Sequence, residues 1–259
     1  MKKINNIKYD DIINHLDINK GDIVYVCSDI TGLLLDARKN KKNFNVEKFI
    51  DSIIKKVGSE GTILFPTFNW NFCKKETFDI INTPSQCGSL TNQVLKRKDF
   101  KRTQHPIYSF SVCGKDQKKL IEMDNKSGWS ENSPFGYLFK EKAKNLFIGI
   151  DYKNGFTMDH YFEQKNNVKY RYHKNFTAEY IDEKKNISLK TYSMFVRDID
   201  KIDSTGINPI LDDILIKNSG YKKYEINNIY FGIIYLDIAG KIIDEDIKKE
   251  RNLIFSVKN

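Results

Sequence analysis

Two hydrophobic periods alternate along the first two thirds of the chain. Tyr9, Ile12, Ile13 and Leu16 recur at helical spacing, and DIVYVCS (22–28) is an apolar run of strand length. Val46, Phe49, Ile50, Ile53, Ile54 and Val57 draw a full helical stripe, and TILFP (62–66) is a second strand. This is a β-α-β unit. Leu90, Val94 and Leu95 suggest a short helix, SFSVCG (109–114) a strand, Gln117 to Met123 a helix, and NLFIGI (145–150) a buried strand. Strands alternating with helices predict an α/β three-layer sandwich, a mainly parallel central sheet covered on both faces. From residue 168 the pattern changes. VKYRYH and ISLKTYSMFV read as successive strands with no helix between them, which predicts an antiparallel, strand-rich C-terminal extension. After Pro209 a helix carrying Ile210, Leu211, Ile214 and Leu215 precedes the strand NIYFGIIYL, and a short helix at about 242–249 follows.

No Pro/Gly/Ser-rich linker or internal repeat divides the sequence, so residues 1–259 are expected to form a single domain. A chain of this length buries roughly 70 to 75% of its unfolded surface and needs no disulfide or metal to fold. No run approaches the roughly 18 consecutive apolar residues of a membrane-spanning helix. MKKINNIKYDDIINH starts basic, but polar residues interrupt its apolar ones, so export is not expected. Cys27, Cys73, Cys87 and Cys113 show no CxxC spacing, which argues against a zinc ribbon and fits the reducing cytoplasm.

Lys and Arg number 43 against 34 Asp and Glu, a net charge of +9. Such an excess suits a phosphate-bearing partner. The lysines are spread from end to end in a chain also rich in Asn and Ile, which disfavours nucleic acid and leaves a small phosphorylated ligand as the better match. KRKDFKR (96–102) gathers five cations, and Ser28, Asp29 and Thr31 follow the first strand, where a turn into a helix would present free amides to phosphate. The loop-like stretch Asn69 to Gly88 follows a strand end, the edge at which open α/β sheets bind ligands.

Each of the four histidines is a candidate proton acceptor near neutral pH. His15 sits on the polar flank of the first helix, and His173 lies in the basic run KYRYHK; both read as solvated. His105 heads an ordered turn whose next residue, Pro106, holds it extended. His160, in GFTMDHYFEQ, falls near the carboxyl end of a strand; if that run is helical, Glu163 shares its face and can fix the imidazole tautomer. Two candidate ligands without a third do not make a metal site, and none is expected. Ser133 and Pro134 read as the N-cap and first residue of a helix.

Taken in order, GTILFPTFNW, RTQHPIYSFSVCG, ENSPFGYL and TMDHYFE resemble the aminoglycoside 3-N-acetyltransferase family, enzymes that use acetyl-CoA. The family's Pro-Thr pair matches Pro66-Thr67, its His-Pro-x-x-Ser-Phe element matches residues 105–110, its Ser-Pro helix start matches Ser133-Pro134, and its His-x-x-Glu matches residues 160–163. Asp159 departs from the apolar residue more usual before that histidine. The resemblance implies direct acetyl transfer to an amine, with His160 as base and Glu163 orienting it. It implies acetyl-CoA as co-substrate, bound near Ser28, Arg102, Ser109, Ser111 and Val112, the oxyanion being held by amides around Ser109 to Val112. The acceptor is expected near Asn69, Trp70, Glu131 and Asp159. A homo-oligomer is compatible with the sequence.

Two acceptors suit this chemistry. A basic chain favours a nucleotide-linked amino sugar of surface polysaccharide synthesis over a polycationic aminoglycoside, the alternative. The chemical rival is a Cys-His acyltransferase or hydrolase using Cys73 or Cys87, since Cys27 and Cys113 fall in apolar strand runs. A non-catalytic binding protein on the same fold is a third reading.

Overall fold

The computed structural model describes residues 1–204, 207–251 and 256–257. Its strands in chain order are β1 (Lys2–Ile4), β2 (Ile23–Ser28), β3 (Thr62–Pro66), β4 (Phe78–Asp79), β5 (Lys101–Arg102), β6 (Phe110–Gly114), β7 (Lys144–Ile148), β8 (Arg171–Ile181), β9 (Ile187–Arg197), β10 (Ile202–Ser204), β11 (Tyr221–Ile226), β12 (Ile229–Tyr235) and β13 (Ser256–Val257). The helices are α1 (Thr31–Lys39), α2 (Val46–Val57), α3 (Ser89–Val94), α4 (Gln117–Ile121), α5 (Pro134–Lys140), α6 (Asp159–Lys165), α7 (Ile210–Lys217) and α8 (Leu236–Lys248).

One sheet runs β1-β11-β12-β7-β2-β3-β6-β5. Its heart, β7-β2-β3, is parallel, as the β-α-β pattern predicts. Outside it, β12 pairs antiparallel with β7, and β6 with β3. Side-chain alternation along β2 shows why both faces need cover: Tyr25 and Cys27 enter one core, Val24 and Val26 the other. On the second face α2 buries Phe49, Ile50, Ile53 and Val57. Asn45 caps it by accepting from Lys48 N, and Gly58, at φ 71°, ends it. Truncating Phe49 to Ala should cost about 3 to 5 kcal/mol. On the first face α5, α6 and α8 contribute Phe135, Leu138, Phe162 and Ile243.

The expected strand-rich extension is the long antiparallel β8-β9 hairpin, which forms a separate sheet with β4. Other boundaries shift. The SDITGLLLD run does turn into a helix, α1, with Asp29 Oδ1 accepting from Thr31 N at 2.9 Å. The last helix starts at Leu236, directly after β12, because Leu236, Ala239 and Gly240 are buried in register with Ile243. The stretch 69–88 is ordered: a 3-10 helix (Trp70–Lys74) and β4 occupy part of it.

The carboxyl ends of β2 and β7 are pressed together at one edge. Asp29 N donates to Ile148 O at 2.8 Å, and a Cβ on Gly149 (φ 66°) would lie 2.1 Å from Asp29 O. Only glycine fits there.

Candidate active site

From that edge the chain passes through a 3-10 turn (Tyr152–Asn154) into α6, whose first turn carries Asp159 and His160. Three apolar residues, Met158, Tyr161 and Phe162, bury one side of α6, and Phe162 packs edge-on against Phe139 of α5. Asp159 and His160 are thereby turned toward a cleft of about 170 Å³, lined also by Lys153, Asn154, Gly155, Phe156, Thr157 and Ile207. His160 and Glu163 share a face, as their spacing predicts, and His160 Nδ1 lies 2.7 Å from Glu163 Oε2.

The environment of the pair is strongly charged. Glu163 is 1% exposed, His160 24%. Arg171, at the start of β8 and itself buried, places Nε 2.7 Å from the same Oε2, and its Nη1 donates to Phe195 O at 3.1 Å. Asp159 Oδ1 accepts from His160 N at 2.7 Å and lies 3.3 Å from His160 Nδ1. Burial alone lowers the pKa of His160, but Asp159 and Glu163 outweigh it and hold the imidazole above its ordinary value. Burial would raise Glu163, but the hydrogen bond and charge of His160, with Arg171, bring it below the usual range. Asp159 moves the other way, pushed up by burial. An ionised Glu163 beside Nδ1 selects the Nδ1–H tautomer and leaves Nε2 to take a proton.

An aromatic wall completes the site. The Trp129 ring stands edge-on to His160 at 4.8 Å and leans on Tyr108 at 4.4 Å. A Cβ on the adjoining Gly128 would meet the Tyr108 ring at 2.5 Å, so the close approach requires glycine. Tyr108 is held in turn by His105, whose Nδ1 accepts from Tyr108 N at 3.1 Å. Burial drives His105 down to about 3, so it is a neutral structural residue, as the ordered-turn reading expects. His15 pairs with Asp11 at 3.4 Å, and the exposed His173 lies against Phe195.

The other candidate residues divide. Ser28 ends β2, and its Oγ is buried with no hydrogen-bond partner. Trp70 is 40% exposed and its ring meets Phe68. Asn69 is buried and spent locally, accepting from Asn71 N and donating to Pro84 O. Glu131 is exposed at the approach to α5.

The cofactor assignments around β5 and β6 need correction. Arg102 is not available to a phosphate, because its guanidinium is buried and donates to Ser109 Oγ, Thr83 O and Thr67 O. Ser109 is equally committed, since its Oγ donates to Thr67 O at 2.7 Å. The Ser111 and Val112 amides belong to β6, which is paired with β3 on one flank and β5 on the other, although Ser111 itself lines a pocket beside Lys101 and Arg102. The KRKDFKR cluster is also partly neutralised: Arg97 pairs with Glu47, Asp51 and Asp99. Trp129, Tyr108 and Arg171 escape a reading of the sequence. Arg171 lies within a basic run that resembles a solvated strand, and only its place eight residues after Glu163 hints at a role.

A family model described as aminoglycoside 3-N-acetyltransferase matches residues 40–223. No curated protein matches the sequence. Among solved structures, the YokD protein from Bacillus subtilis superposes with a TM-score of 0.75 at 20% identity, covering 95% of this chain and 94% of its own. AAC-VIa with bound sisomicin gives 0.76 at 15%, covering 93% and 97%. AAC-IIIb in a binary complex with CoASH gives 0.75 at 13%, covering 97% of both chains. At these identities the likeness establishes the shared fold.

Proposed function

The chain belongs to the aminoglycoside 3-N-acetyltransferase family, and on that premise we propose that it acetylates an amine of an aminoglycoside with acetyl-CoA, His160 serving as base. The observation that carries this reading is the His160–Glu163 contact at the cleft, with Nε2 left to receive a proton. Only an unprotonated amine attacks a thioester. As the C–N bond forms, His160 takes the second proton from the nitrogen and can pass it to the departing CoA thiolate, and no acyl-enzyme is needed. A positioned base of this kind contributes about 10² to 10⁴ in rate. Ionised Glu163 stabilises the transient imidazolium.

Net charge favours a nucleotide-linked amino sugar, but two findings favour the aminoglycoside. Relatives of this fold have been crystallised with sisomicin, apramycin and a gentamicin. The titratable groups nearest His160 Nδ1 are the carboxyls of Asp159 and Glu163, so a positive total does not describe the cleft. For the donor, the unpartnered Ser28 Oγ at the carboxyl edge supports a contact there, in place of Arg102. Residues 1–259 then act as one acetyltransferase unit, in the cytoplasm where acetyl-CoA is supplied. Among the described residues no helix is long and apolar enough to cross a membrane.

The test is thiol release from acetyl-CoA with aminoglycosides and nucleotide-linked amino sugars side by side. Turnover of the aminoglycosides is expected. Turnover confined to the nucleotide-linked sugars would reverse the assignment of the acceptor, and activity retained in His160→Asn would remove the base.

A further inference from the structure

We infer that Arg171 is a positioning residue that limits the basicity of His160 by sharing the Oε2 of Glu163 with the imidazole. The inference rests on the assignment of His160 as the base. Both contacts to Oε2 measure 2.7 Å, from His160 Nδ1 and from Arg171 Nε. Glu163 is 1% exposed and Arg171 6%, so water screens neither. In that setting a carboxylate with a single partner would stabilise the imidazolium strongly. A base that remains protonated at working pH accepts nothing. With a guanidinium on the same oxygen, part of the carboxylate charge is already compensated, and the imidazole can release its proton. Arg171 is fixed for this purpose by its donation to Phe195 O on β9.

The groups facing the imidazole can be named. Asp159 and Glu163 belong to α6 and Arg171 to β8. Lys153 also lines the cleft and pairs with Asp212 at 3.6 Å, while Trp129 adds an uncharged wall. Tyr170 faces Glu163 through its phenol and is neutral near pH 7. Arg171 is therefore a cation acting on the pair from outside α6, and removing it should raise the proton affinity of His160.

The experiment is an NMR titration of the His160 imidazole in the free protein, assigned by loss of its signal in His160→Asn, together with the pH profile of kcat/KM. In Arg171→Met the imidazole midpoint should rise by roughly half a unit or more, and the acid limb of the profile should move up with it. Arg171→Lys, which keeps the cation, should restore the midpoint. An unchanged or lowered midpoint in folded Arg171→Met overturns the inference. If Arg171→Met fails to fold, the lysine variant is set against Arg171→Gln, and equal midpoints in these two overturn it. The NMR midpoint needs no acceptor, so it tests the inference even if no amine proves to be a substrate; a failed acceptor panel with a shifted midpoint would remove the proposed function alone.

Discussion

His160 Nδ1 and Glu163 Oε2 stand 2.7 Å apart on one face of a seven-residue helix, the carboxylate buried and the imidazole open to the cleft. The imidazole must be neutral to act, and its pKa is held above the ordinary 6.5, so kcat/KM should fall as pH drops through a limb lying above that value. Glu163→Gln removes a group that raises the pKa and should move the limb down. Its amide can also present N–H to Nδ1 and select the wrong tautomer, which costs up to roughly 10⁴ in kcat in comparable His–carboxylate pairs. His160→Asn should lose about 10² to 10⁴ in rate while CoA still binds in calorimetry.

Asp159 provides a second, separable prediction. It lines the cleft, and its charge raises the His160 pKa. Asp159→Leu restores the apolar residue more usual for the family, so the acid limb should shift to lower pH. The KM for a polycationic acceptor should rise about tenfold, equivalent to ~1.4 kcal/mol, with the KM for acetyl-CoA unchanged. Equal effects on both substrates would place Asp159 outside acceptor binding.

The cysteine route makes the opposite demand. A nucleophilic cysteine needs a thiolate near pH 7. Burial pushes Cys73 up to about 11 and Cys27 to about 12, and it raises Cys87 as well. Cys73→Ser and Cys87→Ser should each keep acetyl transfer within a few-fold of the parent, measured by thiol release. Loss of turnover in either would restore the covalent mechanism.

Where local periodicity alone decides structure, the sequence is readable. The stripe from Val46 to Val57 forms α2, and the runs at 22–28, 62–66 and 145–150 form the parallel heart of the sheet. β11 is not legible in this way because YKKYEI carries Lys222 and Lys223 among its apolar positions, and its place in the sheet is set by pairing with β12 and β1. The site shows the same division. His160 and Glu163 are neighbours on one helix, so spacing finds them. Trp129 meets His160, Arg171 meets Glu163 and Tyr108 backs Trp129, each from another segment, and no local pattern encodes those contacts. Arg102 misleads for a related reason: a cation in a basic run looks free to meet a phosphate until its three internal acceptors are seen.

Arg102 accordingly gives a prediction about stability. Arg102 is 5% exposed, and its guanidinium joins β5 to Thr67 O, to Thr83 O and to Ser109 Oγ, with its central carbon lying 4.7 Å from the centre of the Phe78 ring. Burial lowers it only to about 10, so it stays a cation at neutral pH and its charge is borne by carbonyl and hydroxyl dipoles. Lysine cannot serve three acceptors in that planar arrangement, nor stack on the ring in the same way. Arg102→Lys leaves buried acceptors without donors and should destabilise the fold by roughly 3 to 5 kcal/mol, read as a lower urea midpoint with an unchanged slope. The folded fraction should bind CoA with parental affinity. Weakened CoA binding at full stability would instead return Arg102 to the cofactor site, and its hydrogen bonds to Thr67, Thr83 and Ser109 would then have to break on binding.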